Sequence, residues 1–345
     1  MNPLLLPLAA AFRLGVTARC AAYRYRWLET HRLSRPVVSV GNLTLGGTGK
    51  TPLVAAIANI LLKHGVTPSI LTRGYGRTSK AETIVVAPGE ARDRDPHEVG
   101  DEPALLARML PSVPIVVCAN RFRGGTVAEA RFEVGAHILD DGFQHLALER
   151  NFDLVALDAT QPISHWGVLP AGRQRESITA LRRADAVVIT RTECADPTPL
   201  EWQVITTHPA AKVFRGRTVL LNCMSAWSGE SIPYEQYGEQ KVAAFCALGN
   251  PQGFFLDLRR WGFKVVFEHA FPDHHVYTGD EIRSLAGRAR ERGAVAVLTT
   301  SKDAVKFSRG WTAALPVLVC NIETQISDAS AFESTLLSSL EKSHR

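Results

Sequence analysis

The chain has 345 residues, 46% hydrophobic and 21% charged, enough to bury a large core and, as a length prior, to form two domains. Its formal net charge of +5 resides in residues 1–35, where six arginines face a single acid; the remainder is balanced, which argues against a basic nucleic-acid-binding face. Six scattered cysteines without a CxxC pair argue against a disulfide framework or a zinc site and fit reduced thiols in a cytosolic protein.

The first predicted element covers residues 1–34, "MNPLLLPLAAAFRLGVTARCAAYRYRWLETHRLS". It lacks the positive start of a signal peptide. Arg13 interrupts it after about ten apolar residues, whereas a membrane span needs about 20. Leu5, Ala9, Phe12, Val16, Cys20, Tyr23 and Trp27 advance in steps of three and four, so they form one stripe of an amphipathic helix. Arg13 and Arg24 border that stripe on one side, Arg19 and Arg26 on the other. Such a helix suits the headgroup boundary of an anionic membrane; the alternative is that the stripe packs on the protein's own core.

"RPVVSVG" (35–41) reads as a buried strand entering a glycine-rich turn, and "PLVAAIANILLKHG" (52–65) as the helix that follows, with Pro52 acceptable in a first turn. Further strands are expected at 69–72, 83–87, 115–118, 137–139, 154–157 and 186–190, with helical runs such as 102–110 and 125–132 between them. This alternation predicts an α/β fold: a P-loop NTPase-like parallel sheet with helices on both faces, over residues 35–210. A Pro-, Ser- and Gly-rich stretch from 196 to 241 is expected to be irregular, and its part 211–240 is placed as the junction. Beyond it, strands at 242–248, 264–268, 294–299 and 316–320, with helices at 252–261 and 279–292, predict a smaller Rossmann-like α/β domain over 241–345.

The chemistry begins at "SVGNLTLGGTGKTP" (39–52). A strand, a glycine turn and Gly49-Lys50-Thr51 at a helix start form a device for holding phosphates: backbone N–H groups converge on the oxygens, and the helix end adds positive potential. Lys50 would reach the β/γ-phosphates and Thr51 would ligate Mg²⁺. Thr44 stands where the strict pattern has a glycine, so the nucleotide loop comprises Thr44, Leu45, Gly46, Gly47, Thr48, Gly49, Lys50 and Thr51. "AHILDDGFQH" (136–145) ends an apolar strand in Asp140 and Asp141, acids placed to serve a Mg²⁺ shell.

Two motifs offer acid–base groups. "HEVGDEP" (97–103) sets Asp101 and Glu102 before a helix, where they act as caps or as a base for an attacking hydroxyl. "FPDHHVY" (271–277) carries Asp273, His274 and His275; adjacent histidines point to different sides, which makes a poor metal pair but leaves one imidazole to orient a carboxylate base. Arg121 and Arg123 in "ANRFRGG", with Arg173 and Arg175 in "LPAGRQRES", are placed in loops after strands, where they form salt pairs or clamp an anionic substrate.

Taken in order, "VGNLTLGGTGKTP", "LTRGYGR", "VGDEP", "ANR", "LDDGFQH", "LPAGRQRES", "FPDHHVY" and "TTSKDAVKF" resemble the tetraacyldisaccharide 4'-kinases of lipid A biosynthesis. The resemblance runs from about Val38 to Phe307 and extends to the arginine-flanked N-terminal helix. It implies transfer of the γ-phosphate of ATP, with Mg²⁺, to the 4' hydroxyl of a tetraacylated disaccharide 1-phosphate. It implies Asp101 as the base, His274 as its partner rather than His275, and Asp140 and Asp141 for the metal. Tyr75, Arg121, Gln144, His145, Arg175 and Glu176 are implied on the substrate side. A bilayer-resident substrate implies a peripheral seat on the anionic cytoplasmic face of a bacterial inner membrane, with no nucleic acid and no obligate protein partner. A nucleotide-switched ATPase or GTPase fits the loop too, but Leu45 stands where the signature lysine of one such group would be and no Asn-Lys-x-Asp guanine reader is evident. A phosphoesterase built on Asp273-His274-His275 would need further metal-spaced clusters that the sequence lacks.

Overall fold

The computed structural model describes residues 5–90, 94–161, 167–308 and 310–341; the first four residues of the predicted N-terminal element lie outside them. In chain order the elements are α1 (Leu6–Arg24), β1 (Val37–Asn42), α2 (Lys50–Lys63), β2 (Pro68–Thr72), β3 (Thr83–Val86), α3 (Pro96–Val99), α4 (Asp101–Met109), β4 (Ile115–Cys118), α5 (Arg121–Arg131), β5 (Ala136–Asp140), β6 (Phe152–Asp158) and β7 (Ala186–Thr190). They continue with α6 (Thr198–Thr207), β8 (Lys212–Ser225), β9 (Ser231–Ile232), β10 (Lys241–Cys246), α7 (Pro251–Arg260), β11 (Lys264–Ala270), α8 (Gly279–Glu291), β12 (Ala296–Thr300), α9 (Ser301–Ala304), β13 (Val317–Ile326) and α10 (Ala329–Glu341).

One sheet runs through the molecule in the order β11-β10-β12-β13-β8-β7-β6-β1-β5-β2-β4-β3, with β9 paired to β8. Most pairs are parallel; β3 is an antiparallel edge strand on β4, and β8 meets β13 antiparallel. The central strands β1, β5 and β6 are buried along their whole length, as strands covered on both faces must be. On one face Leu53, Ile57 and Leu61 of α2 pack over Val38, Ile138 and Leu154; on the other Leu43, Phe143, Leu157, Leu181 and Ile189 close a second core. β1 lies between β5 and β6, so the chain leaves neighbouring strand ends in different directions and a crevice opens at their C-terminal edge, where open α/β sheets take ligands.

Two expectations from the sequence need correction. The stretch expected to be irregular holds α6 and the 14-residue strand β8, which joins β7 of the first half to β13 of the second. Its alternating burial reflects a strand with one covered face, and the turn-forming residues cluster after it. The C-terminal helix α10, placed by sequence in the smaller domain, packs back on the first half: Phe332 and Leu336 join the α2-side core, and Phe332 meets Phe214 edge-on.

Candidate active site

The phosphate loop follows β1. Thr44 forms an antiparallel bridge with Gln174, flanked by the hydrogen bonds Leu45 N–H to Arg173 O and Arg175 N–H to Leu43 O, each 2.7 Å. The chain is therefore paired with a neighbouring segment at this position, and a side chain is accommodated. In this loop positive φ falls on Gly46 (118°) and Gly49 (77°), a region that favours glycine. A Cβ on Gly46 would also stand 2.5 Å from Nη2 of Arg173. Asn42 Nδ2 donates to the Thr48 hydroxyl (3.0 Å), and the Thr190 hydroxyl donates to Thr48 O (3.2 Å), fixing the turn from below. Lys50 and Thr51 open α2 behind Gly49.

Across from the loop, β5 ends in Asp140 and Asp141. Asp141 takes the unusual φ of 52° and is gripped by Arg175 (2.7 Å) and Lys50 (3.5 Å), while Asp140 accepts from the Thr72 hydroxyl (3.1 Å). Burial, then the charge of Asp141, pushes the Asp140 carboxyl up to about 6. Burial also acts on Asp141, but Lys50 and Arg175 outweigh it and hold that carboxyl below the ordinary range. Asp141 Oδ1 is buried without a hydrogen-bond partner. Two adjacent carboxylates and the nearby Thr51, all lining one cleft, form a hard oxygen donor set that fits Mg²⁺.

The second half supplies the opposite wall. Asp101 sits in the first turn of α4, and the N-cap position belongs to Gly100, which has no side-chain cap. The Asp101 carboxylate reaches across the seam instead: Oδ2 lies 3.1 Å from His274 Nδ1 and 3.2 Å from Lys306 Nζ. Burial pushes Asp101 up, but the His274 hydrogen bond and the charges of Lys306 and Lys302 outweigh it and hold it below the usual carboxylate range. The same hydrogen bond raises His274, which itself takes a φ of 61°. His275 turns away to Glu281 (3.1 Å) and stacks on Phe271.

The remaining residues fall into two groups. Gln144 donates to Asn42 O (2.9 Å) and Glu176 (3.1 Å), and Glu176 is paired with Arg183 (2.9 Å) and touched by the Cys20 thiol of α1. His145 is pushed down to about 4 by burial and by Arg121, Arg150, Arg19 and Arg73 around it, which marks a strongly positive corner. Tyr75 is exposed beside the His274 ring, 5.8 Å between centroids. Arg121 and Arg123, expected in a loop, stand in the first turn of α5, capped by Asn120; Arg121 is buried on the carbonyls of Cys118 and Ala119, and Arg123 pairs with Glu82 at the surface. Asn42, Thr72, Lys302, Asp303 and Lys306 are assigned no role from the sequence, although each stands within one of the segments "VGNLTLGGTGKTP", "LTRGYGR" and "TTSKDAVKF".

One cleft of about 2070 Å³ lies between the halves, lined among others by Lys50, Thr51, Tyr75, Arg121, Asp140, Asp141, Gln144, His145, Arg175, Glu176, His274 and Lys302, whereas Asp101, His275, Asp303 and Lys306 stand outside its lining. Gly249 of the second half comes so near the loop that a Cβ on it would stand 3.6 Å from Gly46 Cα. Phe12, Val16, Arg19 and Cys20 of α1 close one end of the cleft. The inferred membrane stripe is thus largely the side of α1 turned toward the protein: Ala9 is buried and Val16, Cys20 and Tyr23 are half-buried, whereas Phe12 is partly open and Trp27, beyond the end of the helix at Arg24, is exposed.

The family model described as tetraacyldisaccharide-1-P 4'-kinase matches residues 1–341. The tetraacyldisaccharide 4'-kinase of Pelobacter propionicus is 36% identical over 340 residues, covering 98% of this chain and 92% of that protein. That of Desulfotalea psychrophila is 37% identical over 327 residues, covering 93% and 92%. A crystal structure of the "apo" form of LpxK from Aquifex aeolicus in complex with ATP superposes with a TM-score of 0.79 at 31% identity, covering 97% of this chain and 98% of that one. The chain belongs to the tetraacyldisaccharide-1-P 4'-kinase family.

Proposed function

We propose that this protein transfers the γ-phosphate of ATP to the 4' hydroxyl of a tetraacylated disaccharide 1-phosphate, releasing ADP and the 1,4'-bisphosphorylated lipid A precursor. The observation that carries the mechanism is the Asp101–His274 pair bridging the two halves beside a cleft that also holds Lys50 and the Asp140–Asp141 pair. Asp101 is the general base: as the sugar oxygen bonds to the γ-phosphorus and the β–γ bridging bond breaks, the hydroxyl proton passes to its carboxylate. His274 orients that carboxylate. Lys50 and the loop amides of Gly46–Thr51 hold the phosphates. Thr51, Asp140 and Asp141 would hold Mg²⁺, which when bound supplies charge neutralisation on the phosphates. Arg121, Arg175, Gln144, His145, Glu176 and Tyr75 form the substrate side, with the positive corner around His145 suited to the anionic headgroup.

We extend this reading to a peripheral seat on an anionic bilayer. Among the described residues no helix is long and apolar enough to cross a membrane. Opposite its inward stripe, α1 carries Pro7, Leu8, Ala11, Leu14, Gly15 and Ala18 in an arc of about 120° without a charge. Leu14 is 71% and Leu8 59% exposed, and Arg19 borders the arc on one side. An apolar face of this kind, on a helix whose other side lines the cleft, suits a lipid-borne acceptor on the cytoplasmic face of the inner membrane. The deciding experiment follows labelled phosphate from ATP onto the disaccharide in detergent micelles; ATP turnover indifferent to the acceptor would overturn the reading in favour of a nucleotide switch.

A further inference from the structure

We propose that Lys306 is a positioning residue for this reaction, fixing the Asp101 carboxylate in the orientation and ionised state that a base needs; the inference rests on the assignment of Asp101 as that base. Lys306 comes from the second half, just after α9, and its side chain is 1% exposed. An ammonium so deeply buried must be paired and hydrogen-bonded. It lies 3.2 Å from Asp101 Oδ2, 3.2 Å from the His275 carbonyl oxygen and 3.7 Å from Asp303 Oδ1, with the Tyr277 ring beside it.

The far side of this arrangement is rigid. Asp303 accepts from the Tyr277 hydroxyl (2.9 Å), the Thr300 hydroxyl (2.6 Å) and the Ala247 N–H (3.2 Å), so Lys306 is held on a fixed anion at the end of the second sheet half. Arg108 of α4 donates to the carbonyls of Ala304 (3.3 Å) and Val305 (3.1 Å), locking the preceding residues against the helix that carries Asp101. His274 and Lys306 both approach Oδ2, which leaves Oδ1 to take the proton. The charged groups around Asp101 are His274, Lys306 and Lys302 from the second half, Glu102 on its own helix, and Asp273 and Asp303 beyond the two lysines. Lys302 is shared between Glu102 (3.1 Å) and Asp273 (3.4 Å), so Lys306 is the lysine in contact with Asp101. A base held this way is complete only when the two halves are together, which ties its ionised state to a closed cleft.

The test is the pH profile of kcat/KM for phosphoryl transfer to the disaccharide in micelles. With Lys306→Met the acidic limb is expected to move up by about one to three pH units, the effect of removing an adjacent opposite charge from a carboxylate. KM for ATP stays near the wild-type value, and Lys306→Arg returns the limb toward its original place. Because Lys306→Met leaves Asp303 buried without its cation, Lys306→Met with Asp303→Asn is measured in parallel and is expected to show the same displacement. An acidic limb coincident with wild type in both variants would overturn the inference while leaving Asp101 as base. Normal turnover by Asp101→Asn would overturn the assignment of the base itself, and the inference with it.

Discussion

The Asp101 carboxylate and the His274 imidazole are 173 residues apart in the chain and 3.1 Å apart in space, one at the head of α4 in the first half, the other in the loop after β11 in the second. This contact makes the proposed acid–base pair a property of the assembled cleft. Asp101→Ala is expected to lower kcat by about 10²–10⁴ with KM for ATP little changed, because the loss falls on proton removal from the acceptor and the phosphate loop is untouched. His274→Ala should cost less, since Asp101 keeps Lys306 as a partner. Steady-state kinetics with ATP and disaccharide varied separately check both; a rise in KM for ATP without a fall in kcat would place Asp101 in nucleotide binding instead.

The Asp140–Asp141 pair leads to a different outcome. Removing one donor from a hard oxygen set should raise the Mg²⁺ concentration giving half-maximal activity by at least the roughly 10–100-fold that loss of an outer-shell partner costs. Asp140→Asn is the cleaner probe, because Asp141 also neutralises Lys50 and Arg175 and its loss would leave those cations facing each other. Titrating Mg²⁺ at saturating ATP gives the number. An unchanged requirement would mean that Asp140 is a buried structural carboxyl held by Thr72.

Much of this was legible in the sequence because it is local. The β1–loop–α2 unit, the acidic end of β5 and the buried strands β2, β4 and β7 follow from short apolar runs and glycine spacing, which report backbone geometry directly. β8 was not legible. Its residues "KVFRGRTVLLNCMS" include charged and polar positions on an uncovered face, and its identity as a strand comes from pairing with β7 and β13, more than 20 and about 100 residues away. Lys306 gave no signal, since a lysine in a helix-ending run reads as a solvated charge until its neighbours from α4 are in place. The α1 stripe was legible as a period, but a helix apolar on two sides does not say which side meets the protein.

That last ambiguity yields a paired prediction for α1. Leu14→Asp, on the outward arc, should reduce co-sedimentation with vesicles containing anionic lipid by about ten-fold or more, given roughly 1.5–3 kcal/mol for full burial of a leucine, with thermal stability unchanged. Val16→Asp, on the inward stripe beside the cleft, should instead lower stability and turnover while changing vesicle binding less. Equal vesicle binding by wild type and Leu14→Asp would remove the membrane role from this face.

The final prediction concerns a site remote from the chemistry. At the opposite end of β5, fully buried His137 joins the Ser69 hydroxyl through Nδ1 (2.7 Å) and Glu129 through Nε2 (3.0 Å). Ser69 is equally buried, so this serine–histidine–glutamate chain has no route to a substrate and is a packing element. Burial holds the imidazole below its ordinary 6.5 despite Glu129. The unfolded chain therefore binds the His137 proton first. Stability contributed by the neutral ring is fully present above about 6.5 and is lost as pH falls from there through the lower folded-state value. Glu129, lowered from 4.5 chiefly because the hydrogen bonds from His137 and Arg35 outweigh its burial, loses its contribution at a more acidic pH, so the two effects separate on the pH axis. Urea unfolding at pH 7.5 and 5.5 is expected to show a drop for wild type that is smaller in His137→Gln, which keeps two hydrogen-bonding ends without the titration. An equal drop in both proteins would assign the acid sensitivity to other groups.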